Sequence, residues 1–134
     1  MILGLGCDIV QVSRFAKTEE FLWRFIKKYC TTNELKEIEQ KKQLQDIEAL
    51  RLAVATRFSA KEAVAKALGS GFRDGITLKD IEILHDELGC PHVYLHDKAL
   101  SRAHQISKNQ TIQVHITISN EREYANAVAV IERM

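Results

Sequence analysis

Proline occurs once in the 134 residues, at Pro91, and no internal repeat, low-complexity tract or linker interrupts the chain. That scarcity excludes repetitive and disordered architectures and leaves one folded domain spanning 1–134 as the expectation. Cysteine is sparse too. Cys7, Cys30 and Cys90 lie far apart, with no C-x-x-C spacing. An odd, scattered set suits reduced thiols in the cytoplasm better than a disulfide framework or a zinc site. Neither sign of charge dominates: 19 Lys and Arg face 18 Asp and Glu, a formal net charge of +1. Such balance, without an aromatic stacking platform, argues against a nucleic-acid binder. No apolar run approaches the ~18 residues of a membrane span. The opening Met1-Ile2-Leu3-Gly4-Leu5-Gly6-Cys7-Asp8 lacks the basic start and long apolar core of a signal peptide.

What remains is an ordinary globular mixture, 46% hydrophobic and 28% charged. Ile2 to Val10 reads as a short buried strand. A helix is expected from about Thr18 to Tyr29, with Glu19 and Glu20 suiting its positive end and Phe21, Leu22, Phe25, Ile26 and Tyr29 as its apolar stripe. Thr31-Thr32-Asn33-Glu34 has the T-x-x-E form of a capping box, opening a helix through Leu35 and Ile38. Past a polar stretch, Gln40 to Gln45, the longest helix should run from Asp46 to Leu68 and stop at Gly69-Ser70-Gly71.

The second half patterns as strands. Ile81 and Ile83 alternate with charge, and Asp86 to Gly89 turns the chain toward Val93 and Leu95. Asp97 is placed to cap a short helix through Leu100 and Ala103. Ile112, Val114, Ile116 and Ile118 then face one way, and Gln113, His115, Thr117 and Ser119 the other. Ala127 to Ile131 forms a last apolar strand. Helices first and strands after predict an α+β fold, with helices packed on a largely antiparallel sheet.

Two glycine pairs fail the dinucleotide-binding pattern: Gly4-x-Gly6 lacks its third glycine, and Gly69-x-Gly71 follows a helix instead of preceding one. Arg57-Phe58-Ser59-Ala60-Lys61-Glu62-Ala63-Val64-Ala65-Lys66 is more telling. Leu50, Val54, Val64 and Leu68 define an apolar face, and Arg57 and Lys61 project along it, where a simple core helix would place aliphatics. One reading makes Glu62 and Lys66 an i,i+4 surface pair, with Arg57 and Lys61 snorkelling to the rim. Another gathers three cations on a polyanion beside a carboxylate. Asp8, in an apolar strand where an unpaired acid is costly, either caps a turn or joins Glu62 at a magnesium ion shared with substrate phosphates. Spacing alone does not bring Asp8 and Glu62 together.

The pairing of Gly6-Cys7-Asp8-Ile9-Val10 with the Arg57–Lys66 helix resembles the 4′-phosphopantetheinyl transferases, and more narrowly their small bacterial holo-[acyl-carrier-protein] synthase group. The family pattern is G-x-D near the N-terminus, then F-(S/A/T)-x-K-E-(A/S)-x-x-K. Further likeness runs through Arg14, Arg24-Phe25, Leu68 to Gly71, Asp80 to Ile83 and Val114 to Ser119 into Val130 to Arg133, covering essentially the whole chain. The resemblance implies transfer of the 4′-phosphopantetheine arm of coenzyme A to a serine of apo-acyl carrier protein in fatty acid biosynthesis, releasing adenosine 3′,5′-bisphosphate. Carried over by position, Asp8 and Glu62 would bind Mg²⁺, and Asp8, Glu62 and Lys66 would be catalytic. Arg57, Lys61, Lys66, Gly69, Gly71 and Asn120 would bind coenzyme A, and Arg14, Arg24, Phe25 and Lys28 would dock the acidic carrier.

A cytoplasmic homotrimer with intersubunit active sites is implied as well, its interface supplied by the strands near Ile112 to Ile118 and Ala127 to Ile131. Two positions depart from the pattern. His115-Ile116-Thr117-Ile118-Ser119-Asn120 ends in asparagine where relatives carry a second histidine near the nucleotide's 3′-phosphate. An amide donates a hydrogen bond there but brings no positive charge. Cys90 stands where lysine is usual before Pro91, a surface change. His115 is expected to make a structural hydrogen bond. The rival reading is a catalytically inactive module that binds the carrier or coenzyme A.

Overall fold

The structure is a computed structural model that describes residues 1–40 and 46–134. Most of the polar stretch expected to separate two helices therefore lies outside the described residues. Strand β1 covers Ile2–Gln11 and leads through a 3₁₀ turn, Val12–Phe15, into α1, Glu19–Tyr29, and α2, Thr32–Gln40. The long helix α3 spans Ile47–Ala67. A hairpin follows, β2 at Ile81–His85 and β3 at Pro91–Leu95, then α4, Asp97–Ser107, and the strands β4, Ile112–Asn120, and β5, Tyr124–Arg133. All strand pairings among the described residues are antiparallel, so the α+β expectation holds. Among the described residues the strands form two sheets rather than one: β1-β5-β4, and the separate β2–β3 hairpin. No helix among the described residues is long and apolar enough to cross a membrane.

Local chemistry accounts for the helix limits. Thr18 Oγ1 accepts the Phe21 N–H at 3.1 Å and Asp46 Oδ1 accepts the Glu48 N–H at 3.0 Å, so α1 and α3 begin on side-chain caps. The T-x-x-E box is real. The Thr31 N–H donates to Glu34 Oε1 at 3.0 Å, and the Glu34 N–H donates to Thr31 Oγ1 at 3.2 Å. At Asp97 the expectation fails: it sits inside the first turn of α4 at φ +48°, and no side-chain cap is made there.

Helix α3 is the organiser. Its Ala60, Ala63, Val64 and Ala67, and Leu68 at its C-cap, are buried with Ala127, Ala129 and Ile131 of β5, while Leu50, Val54 and Ala55 share a second cluster with Phe15, Leu22, Ile26 and Ile38. Small side chains on facing surfaces let the backbones approach closely. Gly4 and Gly6 carry this furthest, since a Cβ at either would stand 1.8 or 1.9 Å from the carbonyl oxygens of Ala67 and Ala63. The first strand thus lies on the helix backbone itself.

Strand β1 is not the buried strand its composition suggests. It is an edge strand, and every second side chain leaves the core, with Leu5 67% and Ile9 64% exposed. In register these lie beside the outward Val130 and Asn126 of β5. The last strand is instead central, with its alanines turned onto α3.

Candidate active site

Close packing of β1 on α3 puts Asp8 beside the middle of the helix. Its main-chain carbonyl accepts from Ser59 Oγ at 3.1 Å and from Asn126 Nδ2 at 3.0 Å, so neighbours on both sides fix the backbone there. The carboxylate is unevenly served. Oδ1 takes the Lys66 ammonium at 3.2 Å, whereas Oδ2 is buried with no hydrogen-bond partner. Lys66 also donates to the Cys7 carbonyl at 3.0 Å. The pair within α3 that spacing suggested, Glu62 with Lys66, gives way to a contact from helix to strand.

Glu62 completes the group. Partial burial and then the Asp8 charge raise its pKa, against the opposing pull of Lys66 and Arg14. A second carboxylate is therefore close enough for like-charge repulsion to register. Two acids on adjoining elements, one with an orphaned buried oxygen, are what a hard divalent cation needs. The donor set fits magnesium.

Arg57 and Lys61, expected at the coenzyme phosphates, turn into the core and pair with acids of α2. Both are almost fully buried, at 3% and 2% exposure. Arg57 Nε lies 3.2 Å from Glu34 Oε2, Nη2 pairs with Glu37, and Lys61 Nζ sits 2.7 Å from Glu34 Oε1. Lys61 also donates to the carbonyls of Tyr29 and Leu78 at 3.0 and 2.8 Å. An apolar helix stripe that carries cations must bury them, and burial requires partners. Glu34 supplies these while also capping α2 and accepting the Ile83 N–H at 3.2 Å. Sequence reading saw only its capping role, although two cations on a core-facing stripe signal a buried acid. Glu37 was missed as well. Burial raises its pKa, but hydrogen bonds from the backbone and ring of His85 and the Arg57 charge outweigh that and leave it lowered.

The remaining expected residues fall in three places. Gly69 and Gly71 end α3 with φ of +76° and +58°, and a Cβ at Gly71 would meet nothing, so that backbone is open to a ligand. Asn120 is exposed at the far end of β4, across β5 from β1. It lines a groove of about 440 Å³ with Arg57, His85, Gly89 and Pro91. One chain does not bring Asn120 to Asp8. His115 Nε2 lies 2.8 Å from Glu132 Oε2 across the outer face of the sheet, the structural bond expected of it.

Of the basic residues, Arg14, Arg24 and Lys28 are exposed. The Arg14 guanidinium sits 5.2 Å from the centre of the Phe58 ring and close enough to Glu62 to act on its charge. Phe25 is half-buried, with its ring 5.4 Å from Phe15 and 4.7 Å from Tyr29, so it supports that surface more than it projects from it.

Comparison with known proteins agrees on family and fold. The family model of the 4′-phosphopantetheinyl transferase superfamily matches residues 4–129. A holo-[acyl-carrier-protein] synthase of Hamiltonella defensa is 42% identical over 135 residues, covering 98% of each chain. The crystal structure of the Neisseria meningitidis holo-[acyl-carrier-protein] synthase superposes with a TM-score of 0.79 at 33% identity, over 99% of this chain and 100% of that one. The Bacillus anthracis synthase, solved in complex with CoA (3′,5′-ADP), gives 0.76 at 31% identity, over 100% and 99%.

Proposed function

Because the chain belongs to the 4′-phosphopantetheinyl transferase superfamily, we propose that it is a holo-[acyl-carrier-protein] synthase. It moves the 4′-phosphopantetheine arm of coenzyme A to a serine of apo-acyl carrier protein, for fatty acid biosynthesis in the cytoplasm. The observation that carries this reading is the Asp8–Glu62–Lys66 group, in which a buried Asp8 oxygen has no partner beside a second carboxylate and a cation.

Asp8 and Glu62 would hold Mg²⁺, which supplies charge neutralisation at the pyrophosphate when bound. Lys66 is held at the same spot by Asp8 and the Cys7 carbonyl, with its side chain 51% exposed, so its ammonium can meet a phosphate oxygen. The new bond forms between the carrier's serine Oγ and phosphorus as the bond from that phosphorus to the nucleotide oxygen breaks. Adenosine 3′,5′-bisphosphate leaves, and the serine proton is released. The open backbone at Gly69 to Gly71 would take the nucleotide, and Arg14, Arg24 and Lys28 would steer the acidic carrier toward Glu62.

A homotrimer with active sites between subunits accounts for two features. Leu5, Ile9 and the outward valines of β5 leave an apolar sheet face uncovered, and Asn120 lies at the opposite edge of the sheet from Asp8. A neighbouring copy would cover the first and deliver the second. Chromatography of the nucleotides tests the reaction: coenzyme A with apo-carrier should yield adenosine 3′,5′-bisphosphate in step with carrier consumed. A carrier that binds without nucleotide release would favour the inactive binding module.

A further inference from the structure

The β2–β3 hairpin carries a second group of ligating side chains that phosphopantetheine transfer leaves unused. Its turn is closed by the Asp86 N–H on the Cys90 carbonyl at 3.0 Å and the Gly89 N–H on the Asp86 carbonyl at 2.9 Å. Asp86 Oδ1 accepts the backbone N–H groups of Leu88 and Cys90, both at 2.9 Å. One oxygen thus anchors the carboxylate to its own turn, and the other, Oδ2, stands 3.0 Å from His92 Nε2. His85 pairs with Pro91, which sets Asp86 opposite Cys90, and side chains alternate along a strand, so Asp86, Cys90 and His92 all lie on one face of the hairpin. One ligand atom from each of Asp86, Cys90 and His92 lies within 4.8 Å of the other two, and all three residues are exposed.

We propose that this hairpin binds one borderline-soft divalent transition metal, of the zinc and cobalt class, through the Asp86 carboxylate, the Cys90 thiolate and the His92 imidazole. Solvent takes the fourth position. A tetrahedral ion with bonds of roughly 2.0–2.3 Å sets its ligand atoms about 3.3–3.5 Å apart. The Asp86–His92 separation is already near that, and the exposed Cys90 side chain has only to swing inward. The Leu88 and Cys90 N–H groups serve as the outer partners that orient the carboxylate. On binding, the Cys90 thiol gives its proton to solvent, and neutral His92 offers a ring-nitrogen lone pair.

The mixed sulfur, nitrogen and oxygen set separates this site from the Asp8–Glu62 pair. Magnesium takes oxygen ligands and gains little from a thiolate. Cysteine spacing gave no hint of a metal because only one of the three ligands is a cysteine. The turn brings in the other two.

Titration of the metal-free, reduced full chain with Co²⁺ tests the assignment. The expected result is a thiolate-to-cobalt charge-transfer absorption that saturates at one equivalent, is erased by Zn²⁺ and is untouched by excess Mg²⁺. Cobalt on Asp8 and Glu62 has no sulfur ligand and cannot produce that band. Cys90→Ser should abolish it. His92→Ala should weaken binding beyond the roughly 10–100-fold that loss of an outer partner costs. Cys7→Ser should change neither. These are exposed positions, and the Cys90 thiol makes only a 3.9 Å contact with the Pro91 carbonyl, so the fold does not depend on them. A wild-type chain with no charge-transfer band, or a band that survives Cys90→Ser, overturns the site.

Discussion

Lys66 reaches from α3 to Asp8 on β1, Nζ to Oδ1 at 3.2 Å, and leaves the second Asp8 oxygen buried and unpaired. The contact exists because β1 has no side chain at Gly6, where a Cβ would sit 1.9 Å from the Ala63 carbonyl oxygen. The glycine two residues before the aspartate is thus a packing requirement of the acid pair.

Gly6→Ala should therefore affect stability and site together. Forcing β1 off the helix should cost about 1–3 kcal/mol, as overpacking does. It should also separate Asp8 from Lys66 and Glu62 and so lower transfer far more than the fraction unfolded explains. Urea unfolding beside turnover checks this, and a stable Gly6→Ala with full turnover would contradict the packing account.

The acid pair predicts a pH signature in metal-free protein. Burial and the Asp8 charge hold the Glu62 pKa above its ordinary 4.5. A raised folded pKa contributes stability that is fully present below the unfolded value and is lost as pH rises through the folded one. Glu62→Gln lacks that loss, so the variant should gain on wild type in urea midpoint as pH climbs out of the acid range. Added Mg²⁺ should narrow the gap. A wild type that instead gains on the variant with rising pH would show that the repulsion is absent.

Glu34 should be a stability residue, not a turnover residue. Its removal by Glu34→Ala leaves Arg57 and Lys61 buried with one carboxylate fewer, at a cost of about 3–5 kcal/mol. Denaturant unfolding measures it, and a loss under about 1 kcal/mol would mean that the cations find other partners.

The exposed cations of α1 should govern carrier capture. Reversing Arg24 and Lys28 to glutamate should raise KM for the carrier roughly tenfold or more, leave kcat near wild type and flatten the salt dependence. Unchanged KM at low salt would place docking on another surface.

How far the sequence could be read depended on range. The capping box at Thr31, the outward alternation along β4 and the glycine stop of α3 depend on neighbours a few residues away, and all were legible; the side-chain caps at Thr18 and Asp46 are as local but show only in the structure. The break into two sheets and the edge position of β1 follow from pairings between distant segments, which periodicity does not encode. Arg57 and Lys61 show the same limit in the site. Their inward direction was readable from the helix period, but their acid partners lie on α2, which folds back from elsewhere in the chain.

Intact-mass spectrometry of apo-acyl carrier protein, incubated with this protein and coenzyme A, tests the central claim most directly. With Mg²⁺ the carrier should gain the mass of one phosphopantetheine arm. With EDTA, or with Asp8→Asn in place of the wild type, the gain should fall at least roughly 100-fold. A carrier that stays unmodified with Mg²⁺ and folded enzyme, or one modified equally well in EDTA, would contradict the account.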